Sequence, residues 1–435
     1  MKRVNGYQNA KAVLTRKPVF DLSAQEGADG KASPEASVRA ILADVYAHGD
    51  EAVRRYTKEF DGIDLKSFEV TPDEISAAFK KVDAKLVSEL ELAANRIREF
   101  HAACKKTIGS SFIHQGVGRQ VMPLQRVGIY VPGGTAAYPS TVLMTAVPAR
   151  VAGVEDVIIT TPVQKDGTIP AITLVAASIA NVNRIYKLGG AQAIAAMAFG
   201  TETIQRVDKI CGPGNIFVAI AKKLVYGIVD IDSIAGPSEV IVVADETASP
   251  AFCAADLMAQ TEHDAMSSAI LITTSEKVAG DVENEIKKQV AKLKRRDIIN
   301  KALDANGVIA LVETMDEAID LVNLHAPEHL LLMVRNPSSY LHKITAAGCM
   351  FLGAESPVAV GDYLAGPSHV LPTGGSARFA SPLGIEDFMK VISVVAFDES
   401  RLKELGNTVI DLAVAEGLTA HAQTVKLRLK NHKKK

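Results

Sequence analysis

Four short segments concentrate the polar side chains that chemistry requires. They are Gln260–His263, Ala326–His329, Val360–Tyr363 and Glu416–His421. In the first segment, Gln260 and His263 lie three positions apart, so at a helix end they share one face and can bind one metal ion together. A surface pair without a ligand has the same spacing, so the pair by itself leaves both interpretations open.

The second segment places a carboxylate next to an imidazole, directly after Pro327. Histidine is the usual general base near neutral pH, and glutamate can activate a water molecule. Glu328 and His329 are therefore candidates for acid–base chemistry. The alternative is a solvated pair in a loop.

The polar residues of the other two segments also have explanations that involve no chemistry. Asp362 follows Gly361 in a predicted turn, where aspartate is common for conformational reasons alone. Glu416 and His421 lie on the predicted last helix, where both side chains can simply face solvent. Taken one at a time, neither segment predicts a site.

The whole chain limits the kind of protein that carries these residues. Its 435 residues are too many for one ordinary core and predict two or more domains. The net charge of -2 gives no reason to expect nucleic acid or an anionic membrane as partner. No apolar run is long enough for a transmembrane helix, and the N-terminus lacks the apolar centre of a secretory signal.

The four cysteines are scattered and show no CxxC spacing. This pattern predicts a reducing compartment, with the cytoplasm as the default location, and no cysteine metal site. Cys211 and Cys253 lie near the polar segments, but neither has a neighbouring histidine or cation in sequence that would clearly lower its pKa. We interpret both as packing residues.

The elements that position these residues follow two patterns. A cap at Ser33–Glu35 begins a helix that ends at Gly49, and a longer amphipathic helix covers Asp83–Lys105. A buried strand is predicted at Glu239–Ala244, and the chain after Pro382 is predicted to be mostly helical.

From Val127 onward, strands, glycine loops and helices alternate, which is typical of a parallel, doubly wound sheet. Ligands of such sheets bind beyond the carboxyl ends of the strands. The loops after the strands begin at Pro132, Gly189 and Gly212, but the GxGxxG dinucleotide fingerprint is absent. A nucleotide site and plain connecting turns both remain open.

Taken together, the segments resemble the signatures of histidinol dehydrogenases. The matching strings are GPSEV, QTEHD, APEHL, VGDYLAGPSHVLPTGGSARFASPLG and AEGLTAHA, and the resemblance runs from about Val38 to Arg428. The long GPSHVLPTGGSARFASPLG string is specific, whereas the glycine loops alone are not.

The resemblance implies a role for each candidate residue. Zinc ligands would be Gln260, His263, Asp362 and His421, and the catalytic pair would be Glu328 and His329. The substrate-binding set would be Ser238, Gln260, His263, His329, Asp362, His369, Glu416 and His421. NAD contacts would be Tyr130, Gln192 and Asn215. The implied reaction takes L-histidinol through L-histidinal to L-histidine and reduces two NAD.

The resemblance also implies an α/β fold of two Rossmann-like doubly wound domains with helical terminal arms, as in the aldehyde dehydrogenase superfamily. The expected parts are an N-terminal arm (1–25), a first domain with the zinc and catalytic residues (26–128 and 238–381), a second domain on the NAD side (129–237) and a C-terminal helical dimerisation segment (382–435). A homodimer is implied in which Glu416 and His421 complete the active site of the partner.

Three positions depart from the usual family pattern: KVISVV at Lys390–Val395, Thr261 and His325. None of them removes an implied metal ligand or a member of the catalytic pair. Two other functions compete with histidinol oxidation. One is a sibling dehydrogenase for another polar alcohol, such as a sulfonated diol, and the other is a zinc hydrolase in which Glu328 activates water.

Overall fold

The structure is a computed structural model that describes residues 1–16, 33–133 and 137–431. Its strands are β1 (Lys2–Asn5), β2 (Phe112–His114), β3 (Val117–Pro123), β4 (Arg126–Tyr130), β5 (Asp156–Thr161), β6 (Arg184–Lys187), β7 (Lys209–Cys211), β8 (Asp230–Ile231), β9 (Glu239–Ala244), β10 (Ser268–Thr273), β11 (Gly307–Leu311), β12 (His329–Met333), β13 (Cys349–Leu352) and β14 (Met389–Val395).

The α-helices are α1 (Tyr7–Leu14), α2 (Pro34–Asp61), α3 (Pro72–Lys81), α4 (Ala84–Thr107), α5 (Pro139–Ala152), α6 (Ala171–Ile179), α7 (Gly190–Phe199), α8 (Ile216–Val225), α9 (Pro250–Thr261), α10 (Glu276–Val290), α11 (Arg296–Asn306), α12 (Met315–His325), α13 (Val358–Tyr363), α14 (Glu399–Ala415) and α15 (Thr419–Asn431). Short 3-10 helices cover Pro337–Lys343, Ser376–Arg378 and Ile385–Phe388. The chain forms two compact units, residues 1–105 with 124–388, and residues 106–123 with 389–435.

The larger unit contains two parallel sheets. The five-stranded sheet has the order β6-β5-β4-β7-β8, and the six-stranded sheet has the order β1-β11-β10-β9-β12-β13. In each sheet the chain first builds strands on one side of a central strand and then adds the later strands on its other side. The order reverses between β4 and β7 in the five-stranded sheet and between β9 and β12 in the six-stranded sheet. Such reversals create crevices at which doubly wound proteins bind ligands. The predicted α/β class is therefore confirmed.

Strands β9 to β12 of the six-stranded sheet are nearly continuous apolar runs, because helices cover both faces of a parallel sheet. Alternate residues of β9 illustrate this arrangement. Val240 and Val242 pack in the cluster that includes α9, α10 and α11. Ile241 and Val243 pack on the opposite face with α1 and α12.

The predicted helix boundaries agree with the structure at several caps. The Ser33 hydroxyl accepts a hydrogen bond from the backbone N–H of Ala36, and Pro34 occupies the first turn of α2. The backbone at Gly49 leaves the helical region (φ 49°), so helix α2 is interrupted where the sequence predicts an end.

The terminal segments contain helices α1, α14 and α15, and each segment also contains one strand that the sequence analysis did not predict. Residues 389–395 form β14, which pairs antiparallel with β3 in the smaller unit. Residues 2–5 form β1, which joins the edge of the six-stranded sheet beside β11. Both partner strands are distant in sequence, so local patterns do not reveal the pairing. The proposed domain boundaries stay a prediction.

Among the described residues, no helix is both long and apolar enough to cross a membrane.

Candidate active site

Glu328 and His329 lie at the amino end of β12, beside the start of the neighbouring strand β9. Helix α12 ends at His325, and Ala326 adopts a left-handed backbone conformation (φ 51°) that turns the chain into the strand. Both side chains are buried, with 7% and 4% of the residue surface exposed. The alternative of a solvated pair in a loop is therefore wrong.

The first residue of β9 determines the orientation of the pair. Nδ1 of His329 lies 3.2 Å from the backbone carbonyl oxygen of Glu239. Because a carbonyl oxygen can only accept, Nδ1 carries the hydrogen and Nε2 holds the free lone pair. The backbone N–H of Glu239 donates to Oε2 of Glu328 at 2.8 Å, and this oxygen lies 3.4 Å from Nδ1 of His329. One backbone residue thus holds both members of the pair.

The electrostatics of His329 suit a general base. Burial of the ring opposes protonation, but the Glu328 and Asp362 carboxylates and the Glu239 carbonyl oxygen together outweigh this effect, and the pKa of His329 lies above its ordinary value. Its Nε2 atom has no hydrogen-bond partner among the described residues and lies 3.9 Å from Oδ1 of Asp362. The basic nitrogen is therefore free to bind a substrate proton.

A cavity of about 320 Å³ lies next to the pair. Its lining includes His329, Cys349, Phe351, Asp362, Ser368 and His369. The rings of His329 and Phe351 stack with 6.0 Å between their centroids. Gly361 lies so close to this phenylalanine that a Cβ atom would stand 2.6 Å from its ring. The apolar walls shield the imidazole from water, which strengthens the electrostatic interactions inside.

Asp362 lies in helix α13, so the prediction of a turn is wrong. Its backbone carbonyl oxygen lies 3.0 Å from Nδ1 of His369, whose Nε2 lies 3.4 Å from the Thr141 hydroxyl. Burial lowers the pKa of His369 despite the nearby Asp362 carboxylate. His369 is therefore a neutral imidazole on the cavity wall near neutral pH.

Gln260 and His263 lie at the end of α9, which packs against α13. The backbone N–H of Val358, at the start of α13, faces the carboxylate of Asp256, one turn before Gln260. Gln260 is 2% exposed. His263 follows the helix and is exposed.

These donors match zinc chemically, because amide, imidazole and carboxylate groups suit a borderline metal ion. The burial of Gln260, a neutral amide at the end of α9, is compatible with this match. Within the described ranges, however, no three His, Cys, Asp or Glu side chains gather as a metal cluster. The zinc site stays a prediction.

The three predicted NAD residues lie at the carboxyl edge of the five-stranded sheet. Tyr130 ends β4, and its hydroxyl oxygen accepts a hydrogen bond from the N–H of Gly190 at 3.1 Å. Burial raises the pKa of Tyr130 to about 12. Gln192 is buried, and its Oε1 has no partner among the described residues. The Asn215 side chain caps α8 by accepting from Phe217 and Val218, so it also has a structural role.

The sequence analysis missed a buried ion pair beneath the Gly212 loop. Lys222 and Asp232 are 2% and 3% exposed and contact each other. The Lys222 ammonium donates to the Gly212 carbonyl oxygen at 2.9 Å, and the N–H of Gly212 donates to Asp232 at 2.7 Å. Lys222 interrupts the apolar run of α8, and this position in the sequence could have indicated a buried lysine with an acidic partner. The pair holds one of the proposed NAD loops in place.

Ser238 and the two C-terminal residues complete the predicted set. Ser238 directly precedes β9, and its carbonyl oxygen accepts from the N–H of Ser268 at 3.0 Å. In the smaller unit, Glu416 caps the C-terminal end of α14, and His421 lies in the first turn of α15. Both are exposed.

Burial raises the pKa of the cysteine thiols. Burial raises the pKa of Cys253 to about 12 and the pKa of Cys211 well above its ordinary value. Burial also raises the pKa of Cys349, in the cavity wall, to about 11. These values agree with the interpretation of Cys211 and Cys253 as packing residues.

The fold and the site define an α/β enzyme with a buried carboxylate–imidazole pair. Residues 25–429 match the sequence profile of the histidinol dehydrogenase family. A histidinol dehydrogenase of Clostridium acetobutylicum is 53% identical over 399 residues, which cover 91% of this chain and 92% of that protein. One from Dehalococcoides mccartyi strain CBDB1 is 49% identical over 99% of this chain and 100% of its own length.

A solved structure agrees with these sequence relatives. The crystal structure of histidinol dehydrogenase from Elizabethkingia anophelis superimposes with a TM-score of 0.91 at 37% identity, covering 100% of this chain and 99% of that one. The chain belongs to the histidinol dehydrogenase family and is an oxidoreductase.

Proposed function

We propose that this chain oxidises L-histidinol to L-histidinal and then to L-histidine, reducing two NAD in sequence. The observation that carries the proposal is the buried His329, whose Nδ1 is occupied by the Glu239 carbonyl oxygen and whose Nε2 is free. An alcohol oxidation needs such a base, because the hydroxyl proton must leave as the carbon gives up hydride.

In the first step, Nε2 of His329 accepts the proton of the substrate hydroxyl, while the carbinol C–H bond breaks and its hydride leaves. NAD, when bound, supplies the hydride acceptor. The Glu328 carboxylate stabilises the imidazolium that forms, because it lies 3.4 Å from Nδ1. The product of this step is the aldehyde.

In the second step, water adds to the aldehyde carbon and gives a gem-diol. Glu328 activates this water by accepting one of its protons, while the His329 imidazolium gives the proton from the first step to the aldehyde oxygen. The remaining C–H hydride of the gem-diol then leaves, and His329 again accepts a hydroxyl proton, so that a carboxylic acid results. The apolar cavity wall excludes further water and retains the reactive aldehyde between the steps.

Zinc and NAD have distinct proposed binding residues. Gln260, His263 and Asp362 of one chain and His421 of its partner would hold zinc, which would anchor the substrate's imidazole and amine. Ser238, His369 and Glu416 would contact the substrate around it. Tyr130, Gln192 and Asn215 lie where NAD is expected, at the carboxyl ends of parallel strands.

We also propose a homodimer, and the composition of the smaller unit supports it. Among its described residues, only Gly406, Ala413 and Ala422 are buried. Large apolar side chains are exposed on its sheet and helices, including Ile113, Val391, Val395, Leu412 and Leu427. An exposed apolar surface of this kind usually marks a protein interface. A second copy of the chain would cover this apolar surface and contribute Glu416 and His421 to the active site.

A cytoplasmic location stays a prediction.

One assay tests the reaction. Purified enzyme is mixed with L-histidinol and NAD, and the absorbance of NADH is followed together with the appearance of L-histidine. Two NADH per histidine formed are expected. A sulfonated diol oxidised faster than histidinol would instead favour the sibling dehydrogenase. Hydrolysis of an amide or ester without NADH formation would favour a zinc hydrolase.

A further inference from the structure

Arg16 lies beside the catalytic pair in the structure although it is remote from it in sequence. It follows α1, and 223 positions separate it from Glu239. Its guanidinium forms a two-pronged ion pair with this glutamate, with Nη1 2.8 Å from Oε1 and Nη2 2.6 Å from Oε2. Glu239 is 7% exposed, so the pair is largely shielded from water.

A third nitrogen of Arg16 binds the end of helix α12, just before Glu328 and His329. Its Nε atom donates to the carbonyl oxygen of His325 at 2.7 Å. His325 is the last residue of α12 and stands three positions before Glu328. The guanidinium therefore joins the start of β9 to the turn that leads into β12.

The surroundings restrict Arg16 to this position. Gly375 lies against its aliphatic stem, because a Cβ atom there would stand 2.7 Å from Cδ of Arg16. The His325 ring returns a hydrogen bond to the same helix end, with Nδ1 3.0 Å from the Leu14 carbonyl oxygen. Burial lowers the pKa of His325 to about 4, so near neutral pH this ring is neutral and donates through Nδ1.

We infer that Arg16 and Glu239 are positioning residues that hold His329 and Glu328 in their reactive arrangement. This inference rests on the proposed function of the pair. The side chain of Glu239 is anchored by Arg16, while its backbone carbonyl oxygen and N–H bind the imidazole and the carboxylate. Loss of the anchor therefore displaces both groups together. Neither Arg16 nor Glu239 touches the cavity that we assign to the substrate.

The test compares Arg16→Met with Arg184→Met as a matched control. Arg184 forms a partly buried ion pair with Asp156 at 2.6 Å, with a similar exposed fraction, but at the amino end of β6 and away from the pair. Circular dichroism gives the folded fraction, kcat is expressed per folded molecule, and KM for histidinol is measured alongside.

For Arg16→Met, kcat is expected to fall at least about tenfold, since a displacement on the order of 1 Å at a catalytic group costs up to a hundredfold. KM for histidinol should change by less than about twofold, because the proposed substrate contacts remain. Oxidation of histidinol and oxidation of supplied histidinal should slow by similar factors. Arg184→Met should keep wild-type kcat.

Chemical rescue gives a second, independent measurement. Arg16→Ala leaves space beside Glu239, so millimolar methylguanidinium should restore part of kcat, while Arg184→Ala should not respond. A kcat per folded molecule equal to that of the Arg184 control, or a loss confined to KM, would overturn the inference. If His329→Asn keeps normal turnover, the assignment of His329 as the base is wrong. That outcome contradicts the proposed function and does not depend on the results for the Arg16 variants.

Discussion

Nε2 of His329 and Oδ1 of Asp362 lie 3.9 Å apart, so the free nitrogen of the proposed base faces a proposed metal ligand. The two residues belong to different elements, β12 and α13, and meet at the cavity wall. Substrate held near Asp362 would therefore have its hydroxyl group within reach of the base. This relationship leads to separate predictions for the imidazole and for the metal.

Replacement of His329 by Asn should lower kcat by about a hundredfold or more, the usual size of a general-base contribution. The fold and the zinc content should survive, because His329 is not a proposed zinc ligand. Steady-state kinetics, circular dichroism and metal analysis check these expectations. Turnover near the wild-type rate would show that the base lies elsewhere.

Replacement of Glu328 by Gln should impair the second oxidation more than the first. The amide oxygen can still accept the N–H of Glu239, so the local hydrogen bond is retained. An amide cannot accept the proton of the hydrating water. The rates with histidinol and with supplied histidinal should be measured separately, and equal losses in both would contradict a specific role in hydration.

Removal of zinc by a strong chelator should abolish histidinol oxidation, and added zinc should restore it. His263→Ala and Asp362→Asn should each lower the zinc content sharply, since fewer ligands remain. His342→Ala, at an exposed site in a 3-10 helix, serves as control and should keep its zinc. A fully active, metal-free preparation is the outcome that contradicts this site.

A mixture of two inactive variants should recover activity if the active sites are shared. His421→Ala and His329→Asn should each be nearly inactive as homodimers. In a mixed dimer, one site carries both changes and the other carries neither. Random pairing should restore about a quarter of wild-type activity when the sites are independent. Mixed dimers that are confirmed by mass but inactive would place all these groups in one chain.

Acid should destabilise the protein partly through His101, which is buried in α4. Burial lowers its pKa to about 4, and neither ring nitrogen has a hydrogen-bond partner among the described residues. The unfolded chain binds this proton below about pH 6.5, whereas the folded chain binds it only near pH 4. The free energy of unfolding therefore falls as the pH drops through this window.

His101→Leu should remove this contribution. Between pH 7 and pH 5 its free energy of unfolding should fall by about 2 kcal/mol less than that of the wild type. Urea titrations at the two pH values provide the measurement. The exposed His342→Leu should behave as the wild type does, and an equal pH dependence in His101→Leu would refute the assignment.

Local patterns were sufficient for much of the fold. Apolar runs predicted β9 and the alternation of strands and helices, and caps predicted the start of α2 and its interruption at Gly49. These features depend on neighbours within a few residues. Strand β14 was missed, because its stability depends on pairing with β3, more than 260 positions earlier.

The sequence by itself determined which residue types are present and, through the motifs, which residues are candidates for the site. Only the tertiary structure decided that Glu328 and His329 are buried at the amino end of β12, held by a backbone residue 90 positions away. Only the tertiary structure also placed Arg16 against Glu239 and the Lys222–Asp232 pair beneath the Gly212 loop. Hydrogen bonds and ion pairs between distant segments depend on strand order and register, and no local spacing in a single sequence encodes these.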